Sequence, residues 1–197
     1  MATSGDGYVV VGSDDGKIRL YSEKTLTQAK TAIPGLGLPI TNVDVTYDGK
    51  WVLATTRSYL MVLKTTYRDS KSGKELCGFT SKMGANAPAP RLLRLKPEDV
   101  RLTAGAGGRP APLEKGHFTW ITERGSQERW IVASCGNYTV LWNFRWVLGV
   151  EGVARQQGMA CRDADVGQGP HSRVCILTEW HAVHWQATVC KHVADVL

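Results

Sequence analysis

The chain has no apolar run approaching the roughly 18 residues that a membrane-spanning helix needs. Its start, MATSGDGYVVVGSDDGK, lacks the basic stretch and apolar core of a secretory signal. The expectation is a soluble intracellular protein without membrane insertion, cytoplasmic and also compatible with the nucleus. No two of its five cysteines stand in a C-x-x-C spacing, and five is an odd number for a disulfide framework. Free thiols in a reducing compartment are therefore expected. The triplet Asn137-Tyr138-Thr139 matches a glycosylation acceptor, which has no consequence without secretion. A formal net charge of +6 permits weak contact with acidic partners. Its positive residues are spread along the chain, with mild clustering at Arg91, Arg94, Lys96 and Arg101. There is no dense basic stripe with interleaved aromatics, which argues against a dedicated nucleic-acid binder.

Motifs that carry chemistry are equally scarce. GSDDGK, residues 12–17, encloses three residues between its glycines where a phosphate loop needs four, and no Ser or Thr follows Lys17. SGKE at 72–75 has no upstream glycine, and GAGGRP at 105–110 follows no strand and reads as a linker. No activated nucleophile is marked. His117 is the one histidine before the last fifty residues, and Cys77 and Cys135 lie in strand-like contexts where a thiol behaves as a small apolar group. No catalysis, no cofactor and no small-molecule substrate are expected.

What is present is a succession of short strand signals. YVVVG (8–12) is a compact apolar run, SDDG is turn chemistry, and KIRLY (17–21) alternates, with Ile18 and Leu20 on one face. Together they predict a hairpin whose turn is shaped by Asp15 and Gly16. The pattern repeats in ITNVDV, TYDGK, WVLAT, TRS and YLMVLK, with Asp48 and Gly49 in the second such turn. From residue 67 to 116 the order weakens into a loop-rich insertion, within which Pro97, Glu98 and Asp99 suit the first turn of a short helix. Strand character returns with HFTWITE, RWIVAS and YTVLWNF. Many short strands at near-regular spacing mean an all-β sandwich, barrel or propeller.

The stretches DGYVVVGSDDGKIRLYSEKT, AKTAIPGLGLPITNVDVTYDGKWVLATTRSYLMVLKT, PAPRLLRLKPEDV and GHFTWITERGSQERWIVASCGNYTVLWNF resemble the carboxy-terminal WD40-type propeller of the vacuolar import and degradation protein 27 family. The resemblance covers about residues 5–147. It implies an all-β, WD40-like propeller fragment of two to three blades: blades at 5–66, the insertion at 67–116 and a last repeat at 117–147. It implies structural roles for Asp15 in the turn before a third strand, Tyr21 at that strand's end and Trp142 as the final aromatic. The chain is expected to begin in mid-blade, with two partial repeats and one terminal repeat. A closed propeller takes typically 4 to 8 blades of four strands.

Residues 148–197 resemble nothing in that family, and three cysteines (Cys161, Cys175, Cys190) and four histidines (His171, His181, His184, His192) fall there. Such a shift is what an alternative exon, a retained intron or a changed reading frame produces. No finger spacing appears among these residues, so no metal site is assigned. Ile176, Trp180, Val183, Ala187, Cys190, Ala194 and Leu197 instead recur at helical steps, which predicts an irregular tail with a helix over 176–197.

Function in a propeller lives in loops on a rigid stack. The resemblance implies a non-catalytic protein–protein scaffold, with Asp14, Leu36, Arg57 and Ser58 on one rim as the expected partner surface. Two alternatives stand beside it: a truncated product without independent activity, and a metal- or thiol-reactive tail fused to a propeller fragment.

Overall fold

The computed structural model describes residues 1–149, apart from 71, 105–107 and 124–125, together with Ser172–Ile176. Three four-stranded antiparallel sheets stand face to face. The first holds β1 (Ala2–Thr3), β2 (Tyr8–Gly12), β3 (Ile18–Ser22) and β4 (Thr31–Ile33) in chain order. It is thus a full blade rather than a partial one, because the two residues of β1 pair with Val9 and Val10 as an inner strand. The second holds β5 (Asn42–Val45), β6 (Trp51–Thr55) and β7 (Leu60–Lys64).

The chain then leaves the second sheet for a two-stranded hairpin, β8 (Thr66–Arg68) with β9 (Glu75–Cys77). It returns as β10 (Arg91–Leu93), which pairs with β7 and supplies the fourth strand. The segment expected as a loop-rich insertion therefore contains the outer strand of the second blade. A short helix, α1 (Pro97–Thr103), starts at the expected proline. The third sheet follows with β11 (Leu113–Glu123), β12 (Ser126–Cys135) and β13 (Tyr138–Asn143). One helical turn, α2 (Phe144–Val147), comes next, and β14 (Ser172–Ile176) pairs with β13 as the outer strand. The tail accordingly contributes a strand; the helix expected from 176 onwards lies outside the described residues, as do His171, His181, His184, His192, Cys161 and Cys190.

Two apolar layers hold the stack together. Val10, Ile18 and Leu20 of the first sheet meet Val43, Val52, Ala54, Met61 and Leu63 of the second. Phe79 and Met83, just beyond the β8–β9 hairpin, join this layer, and Phe79 stacks on Tyr8 with ring centroids 4.4 Å apart. The other face of the second sheet, with Leu53, Leu60, Val62 and Leu93, meets Ile131, Ala133, Val140 and Trp142 of the third. Trp142 is 1% exposed, a buried anchor of the last blade. Each such fully buried side chain contributes about 1.5–3 kcal/mol of hydrophobic transfer energy. Polar ties cross the same interface: Asn42 Nδ2 donates to Gly116 O at 2.9 Å, and Phe118 N–H donates to Asp44 Oδ2 at 2.7 Å.

Candidate functional site

Antiparallel sheets present their turns at two ends, and the exposed chemistry divides accordingly. At one end lies the β2–β3 turn. Lys17 N–H donates to Asp15 Oδ1 at 3.0 Å, while Lys17 Nζ and Arg19 Nη2 approach Oδ2 at 3.1 and 3.2 Å. The backbone N–H, the Lys17 ammonium and Ser13 together hold the Asp15 carboxyl far below the ordinary carboxylate range. Gly16 follows with φ of 78°, a left-handed angle that glycine takes without strain. Arg19 also donates to Ser13 Oγ, so the turn is fixed from both sides. Tyr21, at the end of β3, is half-buried on the sheet's outer face opposite Val9.

The 34–41 loop lies on this turn. Ile40 N–H donates to Ser13 O at 3.2 Å, and a Cβ placed on Gly35 would fall 1.9 Å from Gly16 O, so only glycine fits there. Thr41 N–H then donates to Thr55 O at 2.8 Å, joining the loop to the β6–β7 turn. In that turn the buried Thr56 Oγ1 accepts from Ser58 N–H and Tyr59 N–H and donates to Tyr59 O. Arg57 O accepts from Leu113 N–H at 2.9 Å, which brings in the start of the third sheet. Asp14, Leu36, Arg57 and Ser58 thus share one end of the stack, all exposed on a continuous backbone framework.

The opposite end carries the second DGK turn. Lys50 N–H and Thr46 Oγ1 donate to Asp48 Oδ1 at 3.2 and 2.6 Å, and Gly49 has φ of 64°. Burial would raise the Asp48 carboxyl, but those bonds and the charges of Lys50 and Arg129 outweigh it, and the net shift is downward. The same three letters therefore build the same turn at opposite ends: Asp15 between second and third strands, Asp48 between first and second.

Beside Asp48 is a small cleft of about 150 Å³ between the inner strands β5 and β11. Tyr47 and Trp120 flank it, 78% and 58% exposed, and the Arg129 guanidinium lies 4.7 Å from the Trp120 ring centroid. Sequence reasoning did not single these residues out. Tyr47 stands inside the TYDGK turn signal, and the Trp120–Arg129 pair depends on the β11–β12 register. The available signal was FTWITE, where alternation puts Phe118 and Trp120 on the same face.

Cys135 is fully buried, its thiol donates to Ala111 O at 3.3 Å, and burial pushes its pKa up, away from the reactive thiolate. His117 is exposed, with Nδ1 2.9 Å from Lys115 O. Among the described residues no group of three or more His, Cys, Asp or Glu side chains could hold a metal ion, and no helix is long and apolar enough to cross a membrane.

These blades can be set beside known proteins. The family profile described as the VID27 C-terminal WD40-like domain matches residues 1–157. The chain belongs to the VID27 family. It is 33% identical over 153 residues to vacuolar import and degradation protein 27 of Saccharomyces cerevisiae, covering 77% of this chain and 19% of that protein. Its identity to the protein of the same name in Schizosaccharomyces pombe is 34% over 148 residues, covering 72% of this chain and 17% of that one. The chain thus spans under a fifth of the length of these VID27 relatives. Among solved structures it is similar to the β-propeller domain of Cps50 (Swd1) from Myceliophteria thermophila, with a TM-score of 0.46 and 11% identity over 98% of this chain and 43% of that one. The WD40 domain of SCAP from fission yeast gives 0.37 and 7% over 90% of this chain and 32% of that one. The three stacked sheets are WD40-like propeller blades, and the described residues leave the ring open.

Proposed function

We propose that this VID27-family chain is a non-catalytic protein-interaction module whose partner surface is the end of the stack bearing Asp14, Leu36, Arg57 and Ser58. One observation supports the reading above the others: four exposed side chains of mixed character stand on turns and a loop tied together by backbone hydrogen bonds. Such a surface is held in place before a partner arrives, which limits the ordering cost of association. Leu36, 51% exposed, supplies the apolar centre, with Asp14 and Arg57 as charged neighbours.

Proximity labelling in cells tests this reading, with the full chain and a Leu36→Asp/Arg57→Glu variant compared at equal abundance. The expected outcome is at least a tenfold loss of enrichment for one or more protein neighbours, with an unchanged thermal transition. Identical neighbour sets would remove the rim as the partner surface.

A further inference from the structure

The cleft at the other end of the stack has the composition of a contact hot spot, in which Trp, Tyr and Arg are the enriched residue types. All three stand here on rigid strands or a tight turn. Tyr47 is anchored by Gly5 N–H donating to its carbonyl at 3.0 Å. The guanidinium of Arg129 lies between two rings, 4.7 Å from Trp120 and 5.8 Å from Phe144. Phe144 is itself fixed edge-on against Trp51 and Phe118 at 5.5 and 5.3 Å. Arg129 is therefore pre-oriented by packing, the condition under which a guanidinium fork recognises a carboxylate with least loss of freedom.

The nearby acids are already engaged. Asp44 accepts from Val45 N–H at 2.8 Å through one oxygen and from Phe118 N–H at 2.7 Å through the other. Asp48 takes Thr46 Oγ1, Lys50 N–H and, at 3.7 Å, Lys50 Nζ. Ion pairs among the described residues join Lys17, Arg19, Lys50, Lys64 and Arg145 to acids, and Arg129 is in none of them. The cleft thus presents a ring-stacked guanidinium, in no ion pair among the described residues, beside carboxylates whose oxygens already accept other donors, and it is flanked by two exposed aromatic rings.

We propose that the Tyr47–Trp120 cleft is a docking site for an acidic segment of a partner protein, with an Asp or Glu carboxylate on the Arg129 guanidinium and a neighbouring apolar side chain against Tyr47 and Trp120. Its volume of about 150 Å³ suits one or two side chains of a protein rather than a metabolite, since small-molecule pockets are larger, on the order of 300–1,000 Å³. The proposal rests on the interaction-module reading but concerns the end of the stack away from the rim, so each can fail alone.

Nuclear magnetic resonance on the isotope-labelled full chain tests it, with the blocked peptide acetyl-Glu-Leu-Glu-Leu-Glu-Leu-amide as probe and its Gln-for-Glu counterpart as control. Saturable shifts of the Trp120 indole N–H and the Arg129 Nε–H are expected with the Glu peptide. At least tenfold weaker binding is expected with the Gln peptide and for Arg129→Gln. Raising the salt should weaken the Glu peptide alone. Tyr47→Ser, at a position 78% exposed, keeps the test open if Arg129→Gln misfolds, and it should weaken binding severalfold. The rim variant Leu36→Asp/Arg57→Glu should bind the probe unchanged, which separates this site from the rim. Equal binding of the Glu and Gln peptides would overturn the proposal, as would shifts that bypass Trp120 and Arg129.

Discussion

The first and second sheets are built from similar turns and similar strand lengths, yet their strands read differently. In β3, Ile18 and Leu20 are fully buried while Arg19 and Tyr21 are half-exposed. In β6 and β7, Val52, Leu53, Ala54, Leu60, Met61, Val62 and Leu63 are all at most 2% exposed. The difference is one of neighbours. The second sheet is covered on both faces, so in β6 and β7 alternate residues enter alternate apolar layers, with Thr55 the buried polar residue at the end of β6. Among the described residues, the first sheet is covered on one face, and Val9, Val11, Arg19 and Tyr21 form its outer one. The continuous apolar run of β6 and β7 thus goes with two covered faces, and the alternation of β3 with one.

Substitutions can sharpen or break that contrast. The largest effect is expected at Leu53, fully buried between the second and third sheets: Leu53→Ala should cost about 2–5 kcal/mol in urea unfolding of the full chain. Gly35→Ala comes next, at about 3 kcal/mol, because the new methyl would meet the Gly16 carbonyl, which is backbone and cannot swing away. A near-neutral result there would mean that the 34–41 loop is not docked on the β2–β3 turn in solution. Thr56→Val leaves Ser58 N–H and Tyr59 N–H without their hydroxyl acceptor and should cost about 1–2 kcal/mol by the same measurement.

The two DGK turns give a pH prediction with a definite sign. Both carboxyls are held below the ordinary range, so their stabilisation is present in full above the unfolded-chain value of about 3.9. It is lost as pH falls through their lower folded values. An Asp15→Asn/Asp48→Asn variant should therefore show a shallower loss of thermal stability than the parent below about pH 4, and no altered slope from these groups between about pH 5 and 8. The smallest effect is expected on the outer face of the first sheet, where Val11→Ala should cost less than about 1 kcal/mol. If it instead costs as much as Leu53→Ala, that face is covered in solution and the contrast between the sheets disappears.

Much of this contrast is legible in the letters. KIRLY alternates and WVLAT does not, and the turn residues Asp15, Gly16, Asp48 and Gly49 stand where their backbone angles and hydrogen bonds require them. Local chemistry of this kind is carried by a few adjacent residues, so a single sequence reveals it. Pairing across distance is another matter. β1 is two residues long and has no periodicity to detect. β10 is three residues set among prolines, and its place is decided by the open edge of β7 rather than by its own propensity. The Tyr47–Trp120–Arg129 cleft fails to show for the same reason: its members come from a turn and two strands that only register brings together. Asp14, Leu36, Arg57 and Ser58 come together at one end because three neighbouring connections, each visible as a turn, converge there.

The detour through β8 and β9 has a consequence in time. While the chain is being made, β5, β6 and β7 can pair as soon as they emerge, since short turns join them. The edge of β7 must then wait, unpaired and apolar, until the hairpin has passed and β10 arrives to register Leu93 opposite Leu60. Closing that long loop precedes any reward from the contact, which places the step late and makes it slow. During that interval the second blade is a three-stranded sheet with a sticky margin, the moment at which a nascent chain of this kind is most exposed to pairing with a stranger.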